Sequence, residues 1–168
     1  MKRTLKIRKS FNLWLFTGAS VLLVASLIVG GWTGYSAWQE READNARNDS
    51  VVVARRAIEG MFGYSYQSVD QQMPKVVDDM TSDFKADWMK VTNDVIAPGA
   101  KEKELVVTAT IEATGVISAS ANHTEVMVFM NQKAVGKDPA KGTYDQSKLR
   151  VKLDKQSGRW LVSDVDPI

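Results

Sequence analysis

The sequence predicts an α+β domain of about three helices packed on about four antiparallel strands, placed behind a single membrane-spanning helix. Three observations carry this expectation. Thirty consecutive residues, Ser10 to Gln39, contain no charged side chain. Between Ala43 and Val95, apolar residues recur at three- and four-residue spacing, the repeat of helices with one buried stripe. From Leu105 the period changes to two, the repeat of strands with one buried face. A chain of 168 residues suits one compact domain with an appendage.

Residues 1–10 form a basic tail containing Lys2, Arg3, Lys6, Arg8 and Lys9. Residues 11–38 form the predicted span: a bilayer core about 30 Å thick needs about 20 helical residues, and this run supplies them. Trp14 near one end and Trp32, Tyr35 and Trp38 near the other fit the two interfacial aromatic belts. A cleaved signal peptide is the competing reading. Its apolar region is usually about 7–15 residues and ends at a small-x-small site. Here the run is longer, and Tyr35-Ser36-Ala37 puts tyrosine where a small residue is wanted. The expectation is therefore a retained, single-pass plasma-membrane protein that contacts the lipid bilayer through residues 11–38. The basic tail places the N-terminus in the cytoplasm and residues 39–168 outside. Gly30-x-x-x-Gly34 is a spacing that lets membrane helices approach closely, although ordinary glycine usage explains it as well.

The formal charge of +2 conceals a split. Outside the tail there remain 17 basic and 20 acidic residues, a balance of −3, which does not describe a nucleic-acid binder. The absence of cysteine excludes disulfides, cysteine nucleophiles and thiolate metal sites, and a single histidine, His123, excludes multi-histidine metal centres.

In the outer domain, helices are expected over 43–97 and the sheet over 104–165. The first helix carries a stripe of Ala46, Ser50, Val53, Ala54, Ala57, Ile58 and Met61, and Gly60 and Gly63 are expected to end it. Tyr64 to Asp70 reads as an aromatic, polar connection, with a short helix over Val69–Asp79. Thr81 is placed to cap a further helix, and Asp83 sits in its positively polarised first turn. Phe84, Trp88, Val91 and Val95 form its expected buried stripe, and Pro98-Gly99 its expected end. Lys101-Glu102-Lys103-Glu104 then reads as a charged hinge. Leu105, Val107, Ala109, Ile111 and Ala113 alternate with polar partners, and Gly115 marks an expected bulge. Val126 to Met130, apolar on both faces, reads as a central strand. Asn131 to Gln146 reads as a long irregular connection. Leu149, Val151 and Leu153 make a further strand, Gln156-Ser157-Gly158 a turn, and Arg159 to Ser163 the last strand.

Catalysis in such a domain needs an acid/base pair aimed into a pocket. His123 falls in a predicted turn, where an exposed role is the expectation. Asp79, Asp83 and Asp87 are spaced to share one helix face beside Asp78, a stripe that reads as solvated rather than as a cation site. Tyr64 and Tyr66 either line a pocket mouth or pack on the core. Lys133, Lys137 and Lys141 either meet an anionic lipid or acidic partner or are solvated. No phosphate-binding loop, nucleophile elbow or metal signature occurs. No catalytic, cofactor-binding or metal-binding residue is therefore assigned, and no cofactor or enzymatic activity is expected.

Several stretches resemble a known family. These are the basic leader and span, Tyr64-Ser65-Tyr66 to Val69-Asp70, Met80-Thr81-Ser82-Asp83-Phe84, the Val126 to Met130 strand, and the ending Leu153 to Ser163 with its Gly158-Arg159-Trp160-Leu161-Val162. In order and spacing they resemble the Mce-associated membrane proteins of actinobacteria, although Ser82 stands where that family usually has glycine. The resemblance implies an NTF2-like/VirB8-like cone, in which a curved antiparallel sheet wraps helices. It also implies a non-enzymatic accessory role, stabilising or assembling an Mce-type lipid-uptake transporter in the cell envelope. Mce transporter subunits would be its partners, a lipid a possible ligand, and nucleic acid none. The alternatives are a VirB8-like scaffold of a secretion or conjugation system, or a lipid-binding NTF2-like cone.

Overall fold

The computed structural model describes residues 41–168. The basic tail, the membrane span at 11–38 and the Gly30/Gly34 pair lie outside the described residues. Among the described residues no helix is long and apolar enough to cross a membrane.

Helix α1 occupies residues 41–62. Its stripe is as expected: Ala46, Ser50, Ala54, Ala57, Ile58 and Met61 are all buried. Gly60 does not end the helix. It remains helical because Val76 packs directly over it, and a Cβ at this position would stand 2.9 Å from a Val76 methyl. The expected connection after Gly63 contains a two-residue strand, β1 (Tyr64–Ser65), paired with Val107 and Val106. Helix α2 (Val69–Val76) continues as a 3₁₀ turn over Val77–Asp79, which matches the expected Val69–Asp79 segment.

Thr81 precedes helix α3 (Ser82–Val91) as expected, but its side chain makes no capping bond. Instead its backbone N–H donates to the Val162 carbonyl at 2.9 Å, tying the helix start to the last strand. The stripe expected on α3 holds for Phe84 and Trp88, which pack on the core. It fails at Val91 and Val95, which are 45% and 64% exposed. The cause is a π-helical turn over Thr92–Ile96. One extra residue in the turn rotates everything downstream, so Thr92 and Ala97 face inward in place of the valines. The chain runs directly on into α4 (Ala97–Lys103), with Pro98 in its first turn, where a missing N–H is tolerated. Pro98-Gly99 therefore does not close the helix. Glu104, at φ +52°, does, and the expected charged hinge is largely the last turn of α4.

The strands β2 (Val106–Ala119), β3 (His123–Val135), β4 (Thr143–Gln156) and β5 (Arg159–Pro167) complete an antiparallel sheet in the order β1-β2-β3-β4-β5. Helix therefore extends past 97, and strand reaches both before 104 and beyond 165. Strand β2 has two register shifts, at Glu112 and Ile117, whereas Gly115 pairs regularly with Met127. Each extra residue inverts the alternation and bends the strand. Ile111 thus faces the core opposite Met130, but Ala113 turns outward opposite Phe129, and Thr114 turns inward opposite Val128. The expected irregular connection Asn131–Gln146 is mostly paired strand; only residues 136–142 turn, with a short 3₁₀ segment at Pro139–Lys141.

The helices pack on one face of the sheet. Ile58, Met61, Met130 and Leu153, with Val126, Val128, Val151 and Val162, fill the space between them completely out of solvent. Trp160 and Met80 belong to the same cluster. Val69, Met73 and Ala97 make a smaller cluster with Tyr64 and Ile96 at one end. Each buried aliphatic side chain contributes about 1.5–3 kcal/mol, and in a chain without cysteine this core does the work that disulfides do elsewhere.

Candidate functional site

The residues singled out in the sequence do not converge. His123 opens β3 and its Nδ1 lies 2.7 Å from Asp154 Oδ1, a half-exposed pair on neighbouring strands. Asp79 leaves the expected aspartate stripe. Its carboxylate accepts a 2.6 Å bond from Arg56 Nε and lies 3.7 Å from Arg159 Nη2, so it ties α1 to β5. That bond raises the Arg56 pKa. Asp83 and Asp87 stay on α3, exposed. Among the described residues no three His, Asp or Glu side chains are grouped to hold a metal ion.

Tyr64 packs against the smaller core cluster, and burial pushes its phenol pKa up. The Tyr66 hydroxyl accepts a bond from Gln67 Nε2 at 3.1 Å. Lys133 stands on β3 opposite Tyr144. Lys137 lies 3.7 Å from Glu104, and Lys141 lies 3.4 Å from Asp138.

The feature that sequence reasoning missed is the opposite face of the sheet. Strand β3 was expected to be covered on both sides. Its even-numbered residues from Thr124 to Met130 are buried, but the other face carries half-buried Met127 and Phe129, which is 37% exposed. Register places Ala113, Phe129 and Lys148 in one row across β2, β3 and β4. Gly115, Met127, Arg150 and Asp166 form the next row. Small residues on β2 leave the Phe129 and Met127 side chains unshielded on that flank; a Cβ at Gly115 would meet nothing within 4 Å. On the other flank the Lys148 ammonium sits 6.0 Å from the Phe129 ring centre.

Further along, Lys152 Nζ donates to Asp164 at 2.7 Å and to Asp166 at 3.4 Å. Those bonds raise the Lys152 pKa, and the one to Asp164 lowers that carboxyl's pKa. Among the described residues, Lys148 and Arg150 form no salt bridge, and Arg150 Nε has no hydrogen-bond partner. A depression of about 430 Å³ runs over Phe129, Asn131, Gln146 and Lys148, with Glu112 at its rim. This face is an apolar patch edged by cations, a surface suited to binding another protein rather than to bond-making chemistry. The signal for it was the second apolar face of Val126 to Met130.

Comparison with known proteins agrees with this architecture. The chain is 34% identical over 139 residues to the outer membrane protein Rv1973 of Mycobacterium tuberculosis, covering 80% of this chain and 86% of that protein. It is 27% identical over 153 residues to the uncharacterized protein Rv1362c of the same organism, covering 88% and 70%. Among solved structures, the periplasmic domain of DotI superposes with a TM-score of 0.59 at 12% identity, over 69% of this chain and 90% of that one. An IcmL-like type IV secretion system protein of Legionella pneumophila gives 0.56 at 17% identity, over 70% and 89%. CagV, a VirB8 homolog of the type IV secretion system of Helicobacter pylori, gives 0.52 at 14%, over 71% and 94%. The α+β fold is thus VirB8-like. Residues 15–168 match the family described as uncharacterized protein Rv1363c/MT1408-like, and the chain belongs to that family.

Proposed function

We propose that the chain is a non-enzymatic scaffold subunit of the cell envelope, anchored by residues 11–38, whose outer domain holds together a larger membrane assembly. The observation that carries this reading is the VirB8-like fold with its interior filled by Ile58, Met61, Met130 and Leu153. A filled interior offers a substrate or lipid little room, so the working surfaces are external ones. The name of the relative Rv1973, an outer membrane protein, supports an envelope location. The secretion-system proteins of like fold support a secretion- or conjugation-type assembly. The motif series from Tyr64 to Ser163 favours a second reading, an accessory subunit that stabilises an Mce-type lipid-uptake transporter.

Purification of the full chain from native membranes under mild detergent tests the proposal. Co-purifying channel and ATPase subunits of a secretion machine support the first reading, and Mce and permease subunits support the second. Recovery of the chain alone, with no membrane subunit lost on its deletion, overturns both. The cysteine-free sequence makes topology directly testable. A membrane-impermeant maleimide is expected to label Ser120→Cys in intact cells and to spare Lys2→Cys.

A further inference from the structure

The uncovered sheet face has a complementary surface elsewhere on the same chain. On α3 and the π turn, Asp83, Asp87, Val91 and Val95 follow one another at four-residue spacing and are all exposed, with exposed Asp94 alongside. Two exposed valines inside an acidic ridge are the negative image of Met127 and Phe129 beside Lys148 and Arg150. The spacings also agree. One helical turn advances about 5.4 Å, and two residues along a strand advance about 6.8 Å. Val91 and Val95 can therefore sit over Phe129 and Met127 together, with the aspartates towards β4.

We propose that copies of this chain associate head to tail, the α3 ridge of one copy seating on the outer sheet face of the next. The opposing charges are few. The cations of α3 are Lys85 and Lys90, and on the sheet face Asp166 is engaged by Lys152 and Glu112 by Asn131. Lys148 and Arg150 have no such engagement among the described residues. Because the two patches are different surfaces, each copy presents both, and the contact propagates rather than closing on itself as a two-fold dimer. The inference goes beyond the scaffold reading and does not depend on which assembly the chain serves.

The test uses full chain in mild detergent, with mass measured by light scattering against concentration. Wild-type chain is expected to self-associate. Lys148→Glu and Asp87→Lys are each expected to weaken association by about tenfold or more, whereas an equimolar mixture of the two restores a dimer. In that mixture the intact sheet face of the Asp87→Lys chain meets the intact ridge of the Lys148→Glu chain. Oxidative cross-linking supplies a second reading: Val91→Cys mixed with Phe129→Cys forms a covalent heterodimer, and neither variant alone forms one. A monomeric wild type, charge variants that associate like wild type, or a mixture that stays dissociated overturns the proposal. Val91→Cys homodimers overturn it too, because they report a symmetric contact.

Discussion

Gly60→Ala sets two effects of similar size against each other, and the structure decides between them. In a free helix the substitution stabilises by about 1 kcal/mol, since glycine is the costlier residue in a helix interior. Here the new Cβ lands 2.9 Å from Val76 Cγ2 and 3.3 Å from Cγ1. Ordinary carbon contacts lie at about 3.5–4.0 Å, so two methyls must retreat, and valine has little rotamer freedom with which to do so. Overpacking of this kind costs about 1–3 kcal/mol. The expected net effect is destabilisation by about 1 kcal/mol. Val76→Ala alone removes two half-buried methyls and costs about 1 kcal/mol. In that background the obstruction is gone, so Gly60→Ala is expected to stabilise by about 0.5–1 kcal/mol. Urea unfolding of residues 42–168, a compact unit by itself, reads all four corners of the cycle. The diagnostic is a change of sign between backgrounds. If Gly60→Ala has the same effect in both, α2 does not press on α1 through Val76 and the reasoning is wrong.

Leu153→Ala should cost about 3 kcal/mol because the side chain is fully buried, whereas Val95→Ala should stay within about 0.5 kcal/mol. A large loss at Val95 would mean that the π turn does not rotate it outward. Gly158 at φ +81° and Ser157 at φ +51° form the β4–β5 turn. Gly158→Ala is therefore expected to cost about 1 kcal/mol and Ser157→Asn to add about 0.5 kcal/mol, read as shifts in urea midpoint. For the Lys152–Asp164 pair the pH signs are opposite. Asp164, with its pKa lowered, contributes above the ordinary value of 3.8, and the contribution is lost as pH falls through the lowered pKa. Lys152, with its pKa raised, contributes below 10.5, and the contribution is lost as pH rises through the raised pKa. The midpoint difference between wild type and Lys152→Met should therefore be largest between those values and vanish in strong acid; a difference that persists there would refute the assignment.

Elements governed by local periodicity were legible. The α1 stripe, the α2 segment, the β4 alternation and the Ser157-Gly158 turn all follow from spacing that a straight helix or strand preserves. What escaped were interruptions of period. Nothing in Thr92-Asn93-Asp94-Val95-Ile96 announces that its hydrogen bonds skip one residue further, and that skip moves Val95 from core to surface. The bulges at Glu112 and Ile117 act in the same way on β2. Gly115 looked the better candidate because glycine permits a bend, but permission is not a cause. The curvature comes from where extra residues meet a partner strand, and that is a property of pairing rather than of either sequence.

The candidate site was hidden for a related reason. A strand apolar on both faces, as Val126 to Met130 is, has two physical solutions: a second layer of structure, or a face that stays open until a partner arrives. Sequence reasoning chose the first by default. The choice is decided by how many apolar stripes remain to make a second layer. The buried residues of α1 and the inward side chains Phe84 and Trp88 of α3 all belong to the one main cluster, and α2 packs at its end with Tyr64 and Ala97. Among the described residues no stripe is left over for the other side. Met127 and Phe129 are therefore uncovered because the helices are already committed elsewhere. The π turn makes the same rearrangement supply a candidate cover: by turning Thr92 inward it releases Val91 and Val95 to the surface beside Asp87 and Asp94. The exposed ridge and the uncovered face have separate local causes, and their match in spacing and charge is what makes contact between copies the economical explanation of both.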